Sequence, residues 1–243
     1  RRGFRGNSGE ITASPTTVTC TNPSSVITAY PAAMLYVWNN FAISQSITTS
    51  DLTTATTYTV TVTNPTNACS TATSITIFVD KNEPITSITN VSGVNELDCN
   101  QTSTVLVANG GLSYLWSNNN TTSNIIVTDP DTYTVTVTGV NGCTATTQEV
   151  ITQDINPIVA NIIINSETSV LTCTQSSIDL IVNVTSGELP YSYLWSNGVT
   201  IANNTVSSSG IYYVTITGAN GCETVESITI TENLLVPVVS LSQ

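Results

Sequence analysis

Three landmarks return three times along this chain of 243 residues, and their common period confines it to a tandem array of one small unit. Tyr36-Val37-Trp38 comes back as Tyr114-Leu115-Trp116 and as Tyr193-Leu194-Trp195, 78 and then 79 residues further on. The run Tyr58–Thr63, YTVTVT, returns as Tyr133–Thr138 and, in the form YYVTIT, as Tyr212–Thr217. The cysteines keep step: Cys20, Cys99 and Cys173 precede the first clear strand of each repeat, and Cys69, Cys143 and Cys222 follow the Tyr-rich strand.

Within a repeat the apolar residues alternate. Ile178, Leu180, Val182 and Val184 are interleaved with Asp179, Ile181 and Asn183, and Tyr133, Val135 and Val137 with threonines. Such strands bury one face and wet the other, and β-branched threonine suits the wet face. Asn141-Gly142 and Asn220-Gly221 supply the positive-φ residues of a tight turn into the last strand. No segment carries a 3.6-residue pattern. The expectation is an all-β chain of three small β-sandwiches. Their bounds fall at 10–80, 81–155 and 156–233, with a basic segment at 1–9 and a surplus strand at 234–243. The joints, Asp80–Pro84 and Asp154–Pro157, are short and end in proline, which points to a stiff rod.

Composition removes much chemistry. There is no histidine, so Ser-His-Asp and Cys-His nucleophile pairs and histidine metal sites are excluded. Net charge is −12, and Lys81 is the one cation outside Arg1, Arg2 and Arg5. Nucleic acid is a poor partner for such a chain, as is an anionic membrane surface. No apolar stretch is long enough for a spanning helix and no signal peptide opens the sequence, so it reads as a mature or excised segment. Six cysteines without a C-x-x-C pair point to disulfides and an oxidising, extracellular setting, on a cell surface or secreted.

The run Tyr-Leu-Trp-Ser-Asn, then Thr-Tyr-Thr-Val-Thr-Val-Thr, then Asn-Gly-Cys-Thr-Ala-Thr resembles the Ig-like and PKD-like repeats of large Bacteroidetes surface proteins. These include the gliding-motility type of adhesin exported by the type IX system. The resemblance covers nearly the whole chain and implies Ig-like domains serving as stalks or adhesins. Two departures stand out: the Trp-Asp-Phe-Gly-Asp-Gly pattern of PKD domains is missing, and so is a C-terminal sorting domain.

The two ends do not match. The second and third repeats open on apolar strands after Pro84 and Pro157, whereas Arg5–Glu10 cannot fill such a slot. The tail from Leu234 to Leu241 looks like the opening strand of a fourth repeat. Either the tail begins the next domain of a longer array, or Leu234, Leu235, Val236, Val238, Val239 and Leu241 are lent to the first repeat of another copy. Strand addition of that kind satisfies an open sheet edge and, being head-to-tail, builds a filament.

Two disulfide patterns are open. Pairing within repeats gives Cys20–Cys69, Cys99–Cys143 and Cys173–Cys222. The other pattern staggers the pairs, because the start of the second strand and the end of the sixth lie at opposite ends of an antiparallel sandwich. It gives Cys20–Cys143 and Cys99–Cys222 and leaves Cys173 to meet Cys69 of a following chain.

Trp38, Trp116 and Trp195 recur in the central strand beside apolar neighbours, as core residues do, rather than as a sugar platform. Asp129, Asp131 and the joint acids Asp80, Glu83 and Asp154 read as solvated turn acids, since no D-x-D-x-D-G loop gathers the oxygens calcium needs. No carboxylate pair recurs at a common repeat position, which speaks against glycosidase chemistry. The sequence therefore predicts a non-enzymatic structural protein without metal or cofactor, part of an adhesin stalk or the subunit of a filament. Its partners would be further copies of itself or adjacent repeats. The competing expectation is a binding module that reads glycan or protein through the loops at the sandwich ends.

Overall fold

The computed structural model describes residues 9–166 and 168–236, and every regular element among them is a β-strand. The first repeat contributes β1 (Ile11–Ser14), β2 (Thr17–Thr19), β3 (Val26–Ala29), β4 (Leu35–Trp38), β5 (Ser46–Thr48), β6 (Thr56–Thr63) and β7 (Ser70–Asp80). The second has β8 (Ser87–Asn90), β9 (Glu96–Asp98), β10 (Thr104–Asn109), β11 (Ser113–Trp116), β12 (Asn124–Val127), β13 (Asp131–Thr138) and β14 (Thr144–Asp154). In the third come β15 (Val159–Ile164), β16 (Val170–Thr172), β17 (Ile178–Ser186), β18 (Ser192–Trp195), β19 (Asn203–Val206), β20 (Gly210–Thr217) and β21 (Glu223–Asn233).

Each set of seven forms the same two sheets. In the first repeat the orders are β1-β3-β5 and β2-β7-β6-β4, and the other two repeat them strand for strand. These are Ig-like sandwiches in tandem. Two compact units divide the chain. The first holds the described residues of Arg1–Thr89, Leu106–Ile125 and Tyr133–Glu149; the second holds those of Asn90–Val105, Ile126–Thr132 and Val150–Gln243.

Alternation drives the packing. In β6, Val60 and Val62 are buried while Thr59 and Thr61 face outward or partly so, and Val60 stands opposite Trp38 of β4. In the first unit Trp38 packs with Val18, Ile27, Ala29, Tyr36, Ile47, Val60, Val62 and Ile77. Around Trp195 in the second unit lie Leu171, Ile178, Leu180, Val214, Ile216 and Ile230. All three tryptophans are 1% exposed. Each indole N–H donates to the carbonyl six residues ahead: Trp38 to Ser44 at 2.8 Å, Trp116 to Thr122 at 2.9 Å and Trp195 to Ile201 at 3.0 Å. The ring thus fills the core and its one polar atom pins the loop that leads away from it. Truncating such a residue to alanine costs about 3–5 kcal/mol.

One expectation fails here. The first repeat does have an opening strand, because it begins later than its siblings suggest. β1 pairs antiparallel with β3, Ile11 opposite Ala29 and Ala13 opposite Ile27, and both side chains pack on the core. In the third repeat the same slot is held by the longer β15, with Ile162 opposite Val182 and Ile164 opposite Leu180. Beyond Ile11 the next alternate residue is Gly9, lying against Thr71 and Val62. Of the tail, Leu234, Leu235 and Val236 are exposed and belong to no strand. Val238, Val239 and Leu241 lie outside the described residues, as do Arg1, Arg2 and Arg5.

Candidate functional site

The short strand β2 runs parallel to β7, with Thr19 beside Asp80, so Cys20 sits where β7 ends. Cys69 immediately precedes Ser70, where β7 begins. Eleven residues of strand span about 33 Å at 3.3 Å per residue, whereas disulfide Cα atoms stand within about 7 Å. Cys20–Cys69 is therefore impossible. The same distance rules out Cys173–Cys222, since β16 runs parallel to β21 with Thr172 beside Asn233. The observed bridges are the staggered ones, Cys20–Cys143 and Cys99–Cys222, with Cα separations of 5.0 and 4.9 Å. Pairing within repeats, Cys99–Cys143 included, is corrected accordingly. Cys69 and Cys173 are free and exposed. Two disulfides fit an oxidising compartment.

Each bridge is part of a larger clasp. In the first unit the turn Gly139–Cys143 swings Asn141 against the end of β7. Its amide donates to Asp80 Oδ1 at 3.0 Å and to the Asn82 carbonyl at 2.9 Å, while its Oδ1 accepts from the Cys143 N–H at 3.1 Å. The Thr21 hydroxyl closes the clasp by donating to the Asn141 carbonyl at 3.1 Å. In the second unit Asn220, 5% exposed, does the same work: it reaches Asp154 Oδ1 at 3.2 Å and the Asn156 carbonyl at 3.1 Å, and accepts from the Cys222 N–H at 3.2 Å. Here the Cys99 N–H donates to the Asn220 carbonyl at 3.1 Å.

Gly142 and Gly221 take φ of +76° and +72° in these turns. A β-carbon at Gly142 would run into the Thr21 side chain, and one at Gly221 into the Asn100 carboxamide. Asparagine, glycine and cysteine thus have separate tasks: one buckles the joint, one lets the backbones close, one locks them.

Sequence reasoning took Asn141-Gly142 and Asn220-Gly221 as turns alone and missed the clasp. A signal for it was present in Asp80-Lys81-Asn82 and Asp154-Ile155-Asn156, the same Asp-x-Asn at both joints. Asp80 and Asp154, considered as calcium ligands, are acceptors for these asparagines. Asp129 accepts from the Thr128 hydroxyl and Asp131 from the Thr132 N–H. Glu83 is exposed in the first joint. The second joint carries a cleft lined by Glu96, Asp98, Asp154, Glu188, Ala219 and Asn220.

A different feature marks the turn after β4. Phe41 has φ +66° and is 91% exposed, and Ile43 beside it is 77% exposed. The equivalent positions after β11 and β18 hold Asn119 and Gly198, also at positive φ.

No family model matches this chain, and no curated protein matches it in sequence. Among solved structures, it is similar to the three N-terminal domains of the outer capsid protein Hoc of bacteriophage RB49. Identity there is 15%, over 94% of this chain and 99% of that one, with a TM-score of 0.43. For the N-terminal eight Ig domains of Down Syndrome Cell Adhesion Molecule isoform 1.30.30 identity is 10%, over 93% of this chain and 48% of that one, with a TM-score of 0.34. Fibronectin(III)-like modules of Clostridium thermocellum CbhA match at 8% identity over 60% of this chain and 95% of theirs, with a TM-score of 0.30. Likenesses at this level say nothing of what the chain binds.

Proposed function

We propose that this chain is a non-enzymatic structural segment of a bacterial surface filament or adhesin stalk, and that its copies join head to tail. The observation that carries the reading is the placement of the cross-links. Both disulfides join the first cysteine of one repeat to the second cysteine of the next, and each is seconded by a buckled asparagine. Closing a loop of this length stabilises by about 5 kcal/mol in the chain-entropy model. Bridges inside the repeats would harden each sandwich; bridges at the joints harden the connection that tension and proteases reach first.

Head-to-tail joining by strand donation now takes a specific form. The residues Leu234–Leu241 of one copy would replace β1 in the next, with Leu241 and Val239 entering where Ile11 and Gly9 stand. The test is negative-stain electron microscopy of the full chain beside a chain lacking residues 234–243. Filaments that vanish on truncation support the reading, and filaments that persist would sink strand donation.

The binding-module reading keeps one observation of its own, the strained and exposed Phe41, an aromatic face that a sugar ring or an apolar side chain would stack on.

A further inference from the structure

The two free cysteines are presented by the same turns that present the bonded ones. After β2, β9 and β16 the chain makes one turn three times: Thr19 N–H donates to the Asn22 carbonyl at 2.9 Å, Asp98 N–H to Gln101 at 3.0 Å and Thr172 N–H to Gln175 at 3.0 Å. A side-chain oxygen of Thr19, Asp98 and Thr172 accepts the return bond from the N–H three residues on. Cys20, Cys99 and Cys173 each follow the first residue of that turn.

The second cysteines share another turn. Asn67 Oδ1 accepts from the Cys69 N–H at 3.0 Å, as Asn141 and Asn220 do for Cys143 and Cys222. The Asn64 N–H donates to the Cys69 carbonyl at 2.9 Å, as Gly139 and Gly218 donate to Cys143 and Cys222. Ala68 has φ +57°, matching the sign at Gly142 and Gly221.

The rest of the clasp is present in halves as well. The Asn67 amide makes no hydrogen bond among the described residues, whereas its two counterparts each hold an Asp side chain and a carbonyl two residues beyond it. β7, β14 and β21 are all eleven residues long and end at Asp80, Asp154 and Asn233. Asn233 therefore offers the side-chain oxygen, and Leu235 the carbonyl, that Asn67 would take.

Resting on the head-to-tail reading, we infer that Cys173 of one copy and Cys69 of a second copy form a disulfide, completed by Asn67 on Asn233 and Leu235. A second copy is the fitting occupant because the chain carries one unmatched cysteine of each kind. The chemistry is thiol–disulfide exchange with a small-molecule disulfide as oxidant. The thiolate of Cys69 attacks one sulfur of the oxidant and expels the other as thiolate. The thiolate of Cys173 then attacks the Cys69 sulfur and expels the second. Two protein thiols are oxidised, one disulfide is reduced to two thiols, and the two protons pass to the leaving groups. Ala68 is the imperfect piece. It puts a β-carbon where both joints have glycine, and its turn is one residue longer.

The test uses the full chain with oxidised glutathione, non-reducing gels, and mass spectrometry of cross-linked peptides, with light scattering run in parallel. Wild type should give a ladder that collapses to monomer on reduction and yields a Cys69–Cys173 peptide. On the non-reducing denaturing gel Cys69→Ser and Cys173→Ser should each run as monomer alone, and an equimolar mixture should stop at dimer. Ala68→Gly should speed ladder formation. A covalent dimer from either variant alone overturns the pairing. Non-covalent assembly without a ladder overturns the covalent seal and leaves the head-to-tail reading standing. Neither assembly nor ladder overturns both.

Discussion

Phe41 shows what a single residue adds beyond its type. A bulky side chain at φ +66° sits in a left-handed region that costs an L-residue on the order of 1–2 kcal/mol, and with 91% exposure no burial offsets it. Asn119 takes the same φ, +66°, in the second repeat, and asparagine tolerates it. Phe41→Asn should therefore raise stability by about 1 kcal/mol in urea denaturation. If the binding-module reading holds, it should also erase a selective signal on a glycan array. A variant that loses stability would mean the ring packs on something. The run Asn39-Asn40 announces a turn in the sequence, but the sign of φ at the next residue is decided by how the turn closes on the Trp38 carbonyl. The tryptophans were legible because burial follows from alternation alone. Asn141 and Asn220 were legible only as turn residues, since their partners lie about 60 residues away in the chain.

Strand β1 carries the same lesson to the level of elements. Gly9, Glu10, Ala13 and Ser14 do not look like a strand, and comparison with the apolar openings after Pro84 and Pro157 suggests an empty slot. The open edge of β3 decides otherwise, because unpaired backbone groups beside a core recruit whatever chain is near. The result is a short strand: four paired residues with one large inward side chain, against six in β15 with Ile162 and Ile164. Local opening should be correspondingly easy. Hydrogen exchange at Thr12–Ser14 should run at least about tenfold faster than at Asn161–Ile164, a difference near 1.4 kcal/mol. Equal protection would make β1 a permanent strand and strand donation untenable, since a donor must displace it. The direction of β2 was equally hidden. A three-residue strand in the seven residues between Pro15 and Pro23 does not reveal whether it runs with or against β7, yet that direction places Cys20 at one end of the sandwich and settles which cysteine it can reach.

Taken across the whole chain, the staggered bridges create a covalent topology that no pairing within repeats could give. Cys20 is joined to Cys143 and Cys99 to Cys222, so the two cross-linked spans overlap. Between the two sulfur bridges run three parallel segments, 20–99, 99–143 and 143–222, and the shortest, of 44 residues, limits them all. A chain pulled from its ends, even with every sandwich unfolded, can separate the bridges only to about 150 Å at 3.3–3.6 Å per residue. Reduced, the 202 residues from Cys20 to Cys222 would extend to about 700 Å on the same scale. Single-molecule pulling should record this as a gain in contour length of several hundred ångströms when a reductant is added. Cys99→Ser together with Cys222→Ser should put the oxidised chain between the limits. With Cys20–Cys143 alone, the path shortens to the 79 residues from Cys143 to Cys222, about 280 Å. A wild-type chain that already extends to the reduced length under oxidising conditions would remove the mechanical reading of the joints. Extension capped by the shortest segment is a property of overlapping cross-links: three separate loops inside three repeats would each spare only their own residues and leave both joints to stretch.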